Sequence, residues 1–398
     1  MNNIFKIDRT FVRALHKRLQ TLRKRYLAHH SAPEDTPSVE QLEEIISTMI
    51  WASTQHEEGR LSRFALAFAK PTPLDFLGLS FAVPKRLSTE ELRKLAPAVV
   101  PRDGRIMVWP NASNKNLEIC GLQTTSLSSV TIRVLDPGRL TVSFPLDSTI
   151  AEIAGTRAGF ISADWNNKGQ RMMAPKQFLP SGILGGALSY FSIHVTQQIL
   201  SRIRLLGHGG TIVFVQEDRA WPKSVDQPIF YQCNQNLNEF ERILESFKKS
   251  VATKVGGTAQ ETMTEALTLI VSPEYQRFIG DAARSIAYMS AVDGATVLNG
   301  KFAVLAFGVK LKPPKKKTSS TTAEVVTTVL PYEGVPASNV PIDEAFRGTR
   351  HLSAARFVLN NPNAVAFVVS QDGGITGLIM EAGSSTNLLS IKSLELLL

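Results

Sequence analysis

The run RGTRHLSAAR, residues 347–356, places Gly348, Thr349, Arg350 and His351 ahead of apolar residues at Leu352, Ala355, Phe357, Val358 and Leu359. That apolar pattern predicts an amphipathic helix, so the four residues stand at its start. The first N–H groups of a helix have no intrahelical acceptor, and together with the helix dipole they attract an anion. Gly348 lets a phosphate come close to the backbone. Thr349 can cap the helix or donate to a phosphate oxygen, Arg350 offers a forked cation, and His351 can hydrogen-bond a phosphate or ligate a metal ion. The alternative is a surface arginine beside a packed histidine.

Two other places carry chemistry, the Asp293 turn and the Gly207–Gly210 turn. Asp293-Gly294-Ala295 puts a carboxylate where a helix turns into an apolar strand, with two small residues that admit a ligand; alone it is only a strand start. Ser370 ends the apolar run 364–370, before the turn Gln371-Asp372-Gly373-Gly374. Gly207-His208-Gly209-Gly210 joins a helix to a strand, either exposing backbone amides to an anion or packing the chain tightly, with His208 structural. His29-His30 has no carboxylate or cysteine at ligand spacing, which argues against a metal there.

These groups need a scaffold, and the chain has the means to build one. It has 398 residues, 43% of them hydrophobic and 20% charged, enough for two domains with separate cores. A net charge of +9 favours anionic partners without specifying the fold. Two cysteines, Cys120 and Cys233, exclude a disulfide scaffold and a cysteine-rich zinc site, and they fit a cytoplasmic location. No signal peptide is read at the N-terminus, and the least polar window, 178–195, contains Pro, His and Ser, which argues against a membrane span.

The expected fold class is α+β. A basic helix spans 4–28, with Phe5, Phe11, Leu15, Leu19, Leu22 and Tyr26 near helical spacing; its basic face is solvated, or it docks a membrane surface or nucleic acid. After a 29–37 linker, Ser38 and Gln41 form a capping-box pattern before an apolar helix over 38–52. Short strands separated by Pro, Gly and Asn follow over 62–235, with one helix at 187–206 among them. Helices are expected over 236–255, from 258 to about 271 and over 274–290. Strands around Asn299-Gly300 make a hairpin. Residues 310–323 are an exposed lysine-rich loop, 324–330 a strand, and 364–370 with 375–380 a second hairpin. Residues 205–215 and 290–298 echo each other as helix, small-residue turn and strand, and no repeat period raises this above chance.

DGATVLNGKFAVLAFG, followed by GTRH on a helix, an apolar strand ending in Ser370 and a Gly-containing hairpin, resembles the diadenylate cyclase (DAC) domain over roughly residues 257–385. The region before it, through LLGHGGTIVFV, resembles the probable sensor domain (DACNV) that accompanies DAC domains in some bacterial proteins. The resemblance implies a sensor or regulatory domain over 1–240 and a DAC-like mixed sheet flanked by helices over 257–398. It implies condensation of two ATP into the bacterial second messenger cyclic di-AMP, with two pyrophosphates released. Asp293 would orient the ribose 3′-hydroxyl with a divalent Mg or Mn ion, and Gly294 and Ala295 would leave room for the nucleotide. Gly348, Thr349, Arg350, His351 and Ser370 would hold phosphates, with His351 also near the metal. Each site holds one ATP, so two DAC domains must face each other in a homo-oligomer, and an unknown ligand at the first domain would regulate them.

The family's Arg-His-Arg reads Arg350-His351-Leu352 here, leaving Arg347, Arg356 or a lysine among 315–317 as the open candidates to replace the lost cation, and of its acidic residues after the strand only Asp372 keeps a charge. A nucleotide-binding sensor without turnover is therefore the alternative. Nucleic-acid binding through the basic helix and lysine loop is the less favoured third.

Overall fold

In a computed structural model, Ser38 and Gln41 close on each other as a capping box. The Ser38 hydroxyl accepts the Gln41 N–H at 3.2 Å, and Gln41 Oε1 accepts the Ser38 N–H at 2.8 Å, so the helix Val39–Ser53 begins where the sequence pattern put it. The structure describes residues 7–27, 36–57, 60–70, 78–99, 104–123, 129–144, 149–174, 183–216, 221–226, 229–230, 245, 249, 272–312, 324–381, 384 and 386–398. His29-His30, most of the 29–37 linker, Cys233, all of the 236–255 helix but residues 245 and 249, the 258–271 helix and the lysines 315–317 lie outside the described residues. The fold is α+β.

The chain divides into two units, Met1–Ala163 and Asp164–Leu398. The first holds an eight-stranded sheet in the order 157–160, 149–154, 139–143, 130–136, 65–68, 105–110, 117–123 and 78–86. One face carries Leu66, Ile106, Ile119, Ile132 and Val142, packed against Leu15, Leu19, Ile45, Met49 and Leu92 of the helices Arg9–Leu27, Val39–Ser53 and Thr89–Leu95. Phe11 and Leu22 pack against the same cluster, so the apolar stripe of the basic helix belongs to this core. The other face carries a buried row across the sheet, Gln123, Arg105, Ala65, Arg133, Thr141 and Glu152, five of whose six members are polar. The sequence reading missed Gly78–Arg86, an edge strand whose register breaks between Ser80 and Lys85 around Pro84. Proline has no N–H for a ladder and is tolerated at such edges and bulges.

The second unit is built on a mixed sheet. Its order is 225–226, 304–311, 295–299, 210–215, 365–369, 375–380, 387–391, 325–329 and 338–341, with 229–230 also on 304–311. Strand Gly210–Val215 lies at its centre, parallel to Ala295–Asn299 with Thr211 opposite Ala295, and antiparallel to Val365–Val369 with Gly210 opposite Val369. The two compact units therefore divide at 163/164, whereas the resemblance and the helix pattern over 236–255 led to an expected division between 240 and 257. The strand of LLGHGGTIVFV, read as sensor, is the spine of the second sheet, and removing it would leave two neighbours with unpaired backbone. The 205–215 and 290–298 echo has a structural counterpart: helices Ile183–Leu206 and Pro273–Ser290 each enter a small-residue turn, and their strands pair side by side.

Side chains on strand 210–215 alternate between faces. Val213 and Val215 join Ala354, Phe357 and Val358 of the helix Thr349–Asn360 in one core, while Phe214 meets Phe302 and Phe367 edge-on. Both expected hairpins form, but the first turns over Asn299–Ala303 with Phe302 at φ 63°, a longer connection than the two-residue Asn-Gly turn. Lys310 and Leu311, expected in a loop, extend strand Val304–Leu311 and pair with Asp226 and Val225. Among the described residues no helix is long and apolar enough to cross a membrane.

Two outcomes test this architecture. A chain of 164–398 unfolds cooperatively in urea, whereas one of 240–398 lacks strand 210–215 and shows no cooperative transition. Ser38→Ala removes one side of the capping box and lowers the stability of the first unit by about 1 kcal/mol, read from the urea midpoint.

Candidate functional site

The pairing of three strands decides where the chemistry-bearing residues go. Strands 210–215 and 295–299 are parallel, so their leading turns, His208-Gly209 and Asp293-Gly294, lie at the same end of the sheet. Strand 365–369 runs the other way with Val369 opposite Gly210, so its exit turn, Ser370–Gly374, lies there too. The helix Thr349–Asn360 starts at this end, because Arg350 Nη1 donates to the His208 carbonyl at 3.3 Å and His351 Nε2 lies 3.3 Å from Thr376 Oγ1. Segments more than 140 residues apart in sequence thus meet.

Gly348 is the N-cap of this helix, and no side chain caps it. Thr349 is the first helical residue and is exposed, so it does not fill the capping role open to it in the sequence. The leading N–H groups therefore stay available to an anion. A β-carbon at 348 would stand 3.6 Å from His351 Nδ1, so glycine leaves the imidazole and the helix start uncovered.

The imidazole of His351 stacks on Phe346, with centroids 5.9 Å apart and planes 14° apart. Burial, reinforced by the Lys392 ammonium and opposed by Asp372, pushes its pKa down to about 4. At neutral pH His351 is then an uncharged hydrogen-bonding group, and the arginines at this helix start are Arg350 and the exposed Arg347. Leu352 packs against the core containing Phe357 and Val358, so nothing at position 352 adds charge. Arg356 is committed to Asp343 at 2.8 Å.

The two glycine turns differ from what spacing alone conveys. Gly294 has φ 119°, and a β-carbon there would come within 2.7 Å of the Gly308 backbone and 2.8 Å of Val309 N, so it is glycine because two strands approach closely. Gly209 has φ 68°, and its β-carbon would stand 2.7 Å from the Val369 carbonyl oxygen and 2.8 Å from Arg350 Nη1. The His208-Gly209 turn, which has no partner visible in sequence, is the surface on which Arg350 rests. Its clue was the resemblance of 205–215 to 290–298.

Asp293 is exposed and Ala295 buried. The hydroxyl of Ser370 is directed at Asp372 Oδ1 and the Gly374 carbonyl, 2.9 Å away, and Gly374 N–H donates to Asp372. Those contacts hold the Asp372 carboxyl below the usual range, the Ser370 hydroxyl contributing most. Ser370 thus spends its hydroxyl on the turn, which Arg204 Nε fastens from the neighbouring helix by donating to the Gly373 carbonyl at 2.8 Å. Sequence reasoning had no signal for Arg204, Phe346, Thr376 or Lys392.

Among the described residues no three of His, Cys, Asp and Glu gather into a ready metal cage. Exposed Asp293 is an oxygen donor at this end of the sheet, of the type that hard divalent cations take. His351 is the poorer donor of the expected pair, since its Nε2 faces Thr376.

Two measurements check the site. The His351 ring resonances titrate near pH 4 in NMR. Because the folded pKa lies below the unfolded value, the contribution to stability is present above about pH 6.5 and is lost as pH falls towards 4; His351→Gln flattens that part of the pH–stability curve. Gly209→Ala forces a side chain into a left-handed conformation against backbone and lowers stability by about 2 kcal/mol, measured by denaturant unfolding.

No curated protein matches the chain. Residues 31–124 match the family model described as "Probable sensor domain DACNV", a segment that lies within the first unit. The chain therefore carries a region similar to the sensor domain DACNV within Met1–Ala163.

Proposed function

We propose that the Asp164–Leu398 unit binds ATP at this end of its sheet and condenses two molecules into cyclic di-AMP, under control of the DACNV-like unit. The observation that carries the reading is the convergence of an uncapped glycine-led helix start, Arg350, His351 and the Asp293 turn on three adjoining strand ends. The DACNV match supports it independently, since that sensor type accompanies diadenylate cyclases.

In this reading Gly348 and Thr349 present backbone N–H groups to the phosphates, and Arg350, held by the His208 carbonyl, offers a forked pair of donors. Neutral His351 donates a hydrogen bond from its ring N–H to a phosphate oxygen. A bound divalent cation supplies charge neutralisation on the triphosphate. Asp293 orients the ribose 3′-hydroxyl. Each hydroxyl attacks the α-phosphorus of the ATP in a facing subunit; the new O3′–P bond forms as the bond to the β-phosphate oxygen breaks, pyrophosphate leaves, and the hydroxyl proton passes to solvent. Rate comes from alignment and electrostatics, without a covalent enzyme intermediate. Two facing copies are needed, because one site holds one nucleotide.

A second reading rests on Leu352. It packs in the core where the family carries a second arginine, and a site with less charge facing the triphosphate can hold a nucleotide without turning it over. The full chain incubated with ATP and Mg or Mn gives cyclic di-AMP by mass spectrometry and pyrophosphate in a coupled assay. Asp293→Asn lowers the rate at least about 100-fold, the scale of a lost positioning or acid–base group. ATP binding without pyrophosphate release would favour the non-catalytic reading, and absence of nucleotide binding would sink both.

A further inference from the structure

Lys392 follows strand Asn387–Ile391 and lies outside every motif described above. Its backbone is held on both sides: its N–H donates to the Val329 carbonyl at 3.1 Å, and its carbonyl accepts from Trp165 Nε1 at 2.9 Å. From that anchor the ammonium reaches over the Phe346 ring, 4.8 Å from its centroid, and the same ring stacks on His351. Phe346 immediately precedes Arg347-Gly348, so this cation stands beside the uncapped helix start.

Lys392 is half-buried and forms no ion pair among the described residues. Burial alone pushes its pKa below the usual lysine range. Asp372, the carboxylate of the turn after Ser370, is held by Ser370 and Gly374. A partly desolvated ammonium supported only by an aromatic face is poorly compensated, and an incoming anion would compensate it. The uncapped N–H groups favour the same kind of ligand.

We propose that Lys392 is the second cation of the phosphate site, contacting the nucleotide's polyphosphate and supplying the charge that Leu352 does not. The assignment rests on the nucleotide reading given above. It places the cation on a strand end that meets the helix start in space, and its four-carbon stem lets the ammonium swing from Phe346 to a phosphate oxygen. Lys392 is then a binding residue, while Phe346 and Trp165 position it.

Calorimetric titration of the full chain with ATP, inorganic tripolyphosphate and adenosine, on the unmodified protein, Lys392→Gln and Lys392→Arg, tests this. Lys392→Gln weakens ATP and tripolyphosphate about 10- to 100-fold, the worth of one charge-assisted hydrogen bond, and Lys392→Arg recovers most of the loss. Adenosine affinity is the same in all three. The Lys392→Gln melting temperature stays level or rises, because an uncompensated charge has been removed. Unchanged polyphosphate affinity in Lys392→Gln, or a lower melting temperature with affinity intact, would overturn the proposal and reduce Lys392 to a structural cation–π partner. If Lys392→Gln does not fold, Lys392→Met, which keeps the stem over Phe346, serves with the same criteria. Should the unmodified protein bind tripolyphosphate and not ATP, with Lys392→Gln abolishing that binding, the ATP reading fails while Lys392 keeps its role. Binding of neither ligand overturns both.

Discussion

The parallel, in-register pairing of Gly210–Val215 with Ala295–Asn299 is the constraint on which the second unit depends. It sets two helix-to-strand turns side by side at one end of the sheet, and the antiparallel partner Val365–Val369 returns a third turn to the same place. A one-residue slip would exchange Val213 and Val297 with Ile212 and Thr296 across the sheet and separate the phenylalanine cluster around Phe214. The apolar core thereby fixes the relative positions of Asp293, His208 and Ser370, which make no direct contact needed for that purpose.

Glycines make this arrangement feasible. Gly209 and Gly294 both sit at positive φ where a neighbouring backbone comes closer than a β-carbon permits. The Gly294 of the DGA motif is accordingly a requirement of sheet geometry as much as of ligand space. Gly348 differs: its φ of −90° suits any residue, and its small size leaves the helix start open. Three glycines in neighbouring turns thus answer to two physical demands, close backbone approach and an uncovered helix start.

Charge at this end of the sheet is distributed unusually. Burial keeps His351 neutral and weakens the hold of Lys392 on its proton, and Asp372 is tied to its own turn. Arg350 is turned to a backbone carbonyl, whose partial charge does not neutralise it. The electrostatics at this end of the sheet come from residues on the helix 349–360 and the strand end at 392, which only the fold relates. The first unit keeps its own core and its own sheet, with the DACNV-like segment inside it.

Periodicity and turn chemistry, which are local, were legible in the sequence: the helices around 39–53, 183–206, 273–290 and 349–360, the two hairpins, and the capping box at Ser38 all follow from spacing within a few residues. So did the segments that carry the site, since Asp293, Gly348, Arg350 and His351 stand out by type and position. The edge strand 78–86 escaped because Pro84 interrupts its pattern, and the division at 163/164 differs from the expected 240–257 because neither a helix pattern nor a resemblance reveals which sheet a strand joins. Strand 210–215 reads the same in either domain; hydrogen bonding to 295–299 and 365–369 decides. Likewise the partners Arg204, Thr376, Phe346 and Lys392 are set by pairings over long sequence separations. Local sequence therefore determined the elements and the candidate chemistry, whereas the burial that neutralises His351, the carbonyl that holds Arg350 and the cation beside Phe346 were decided by the tertiary structure, because each depends on strands brought together through a shared core.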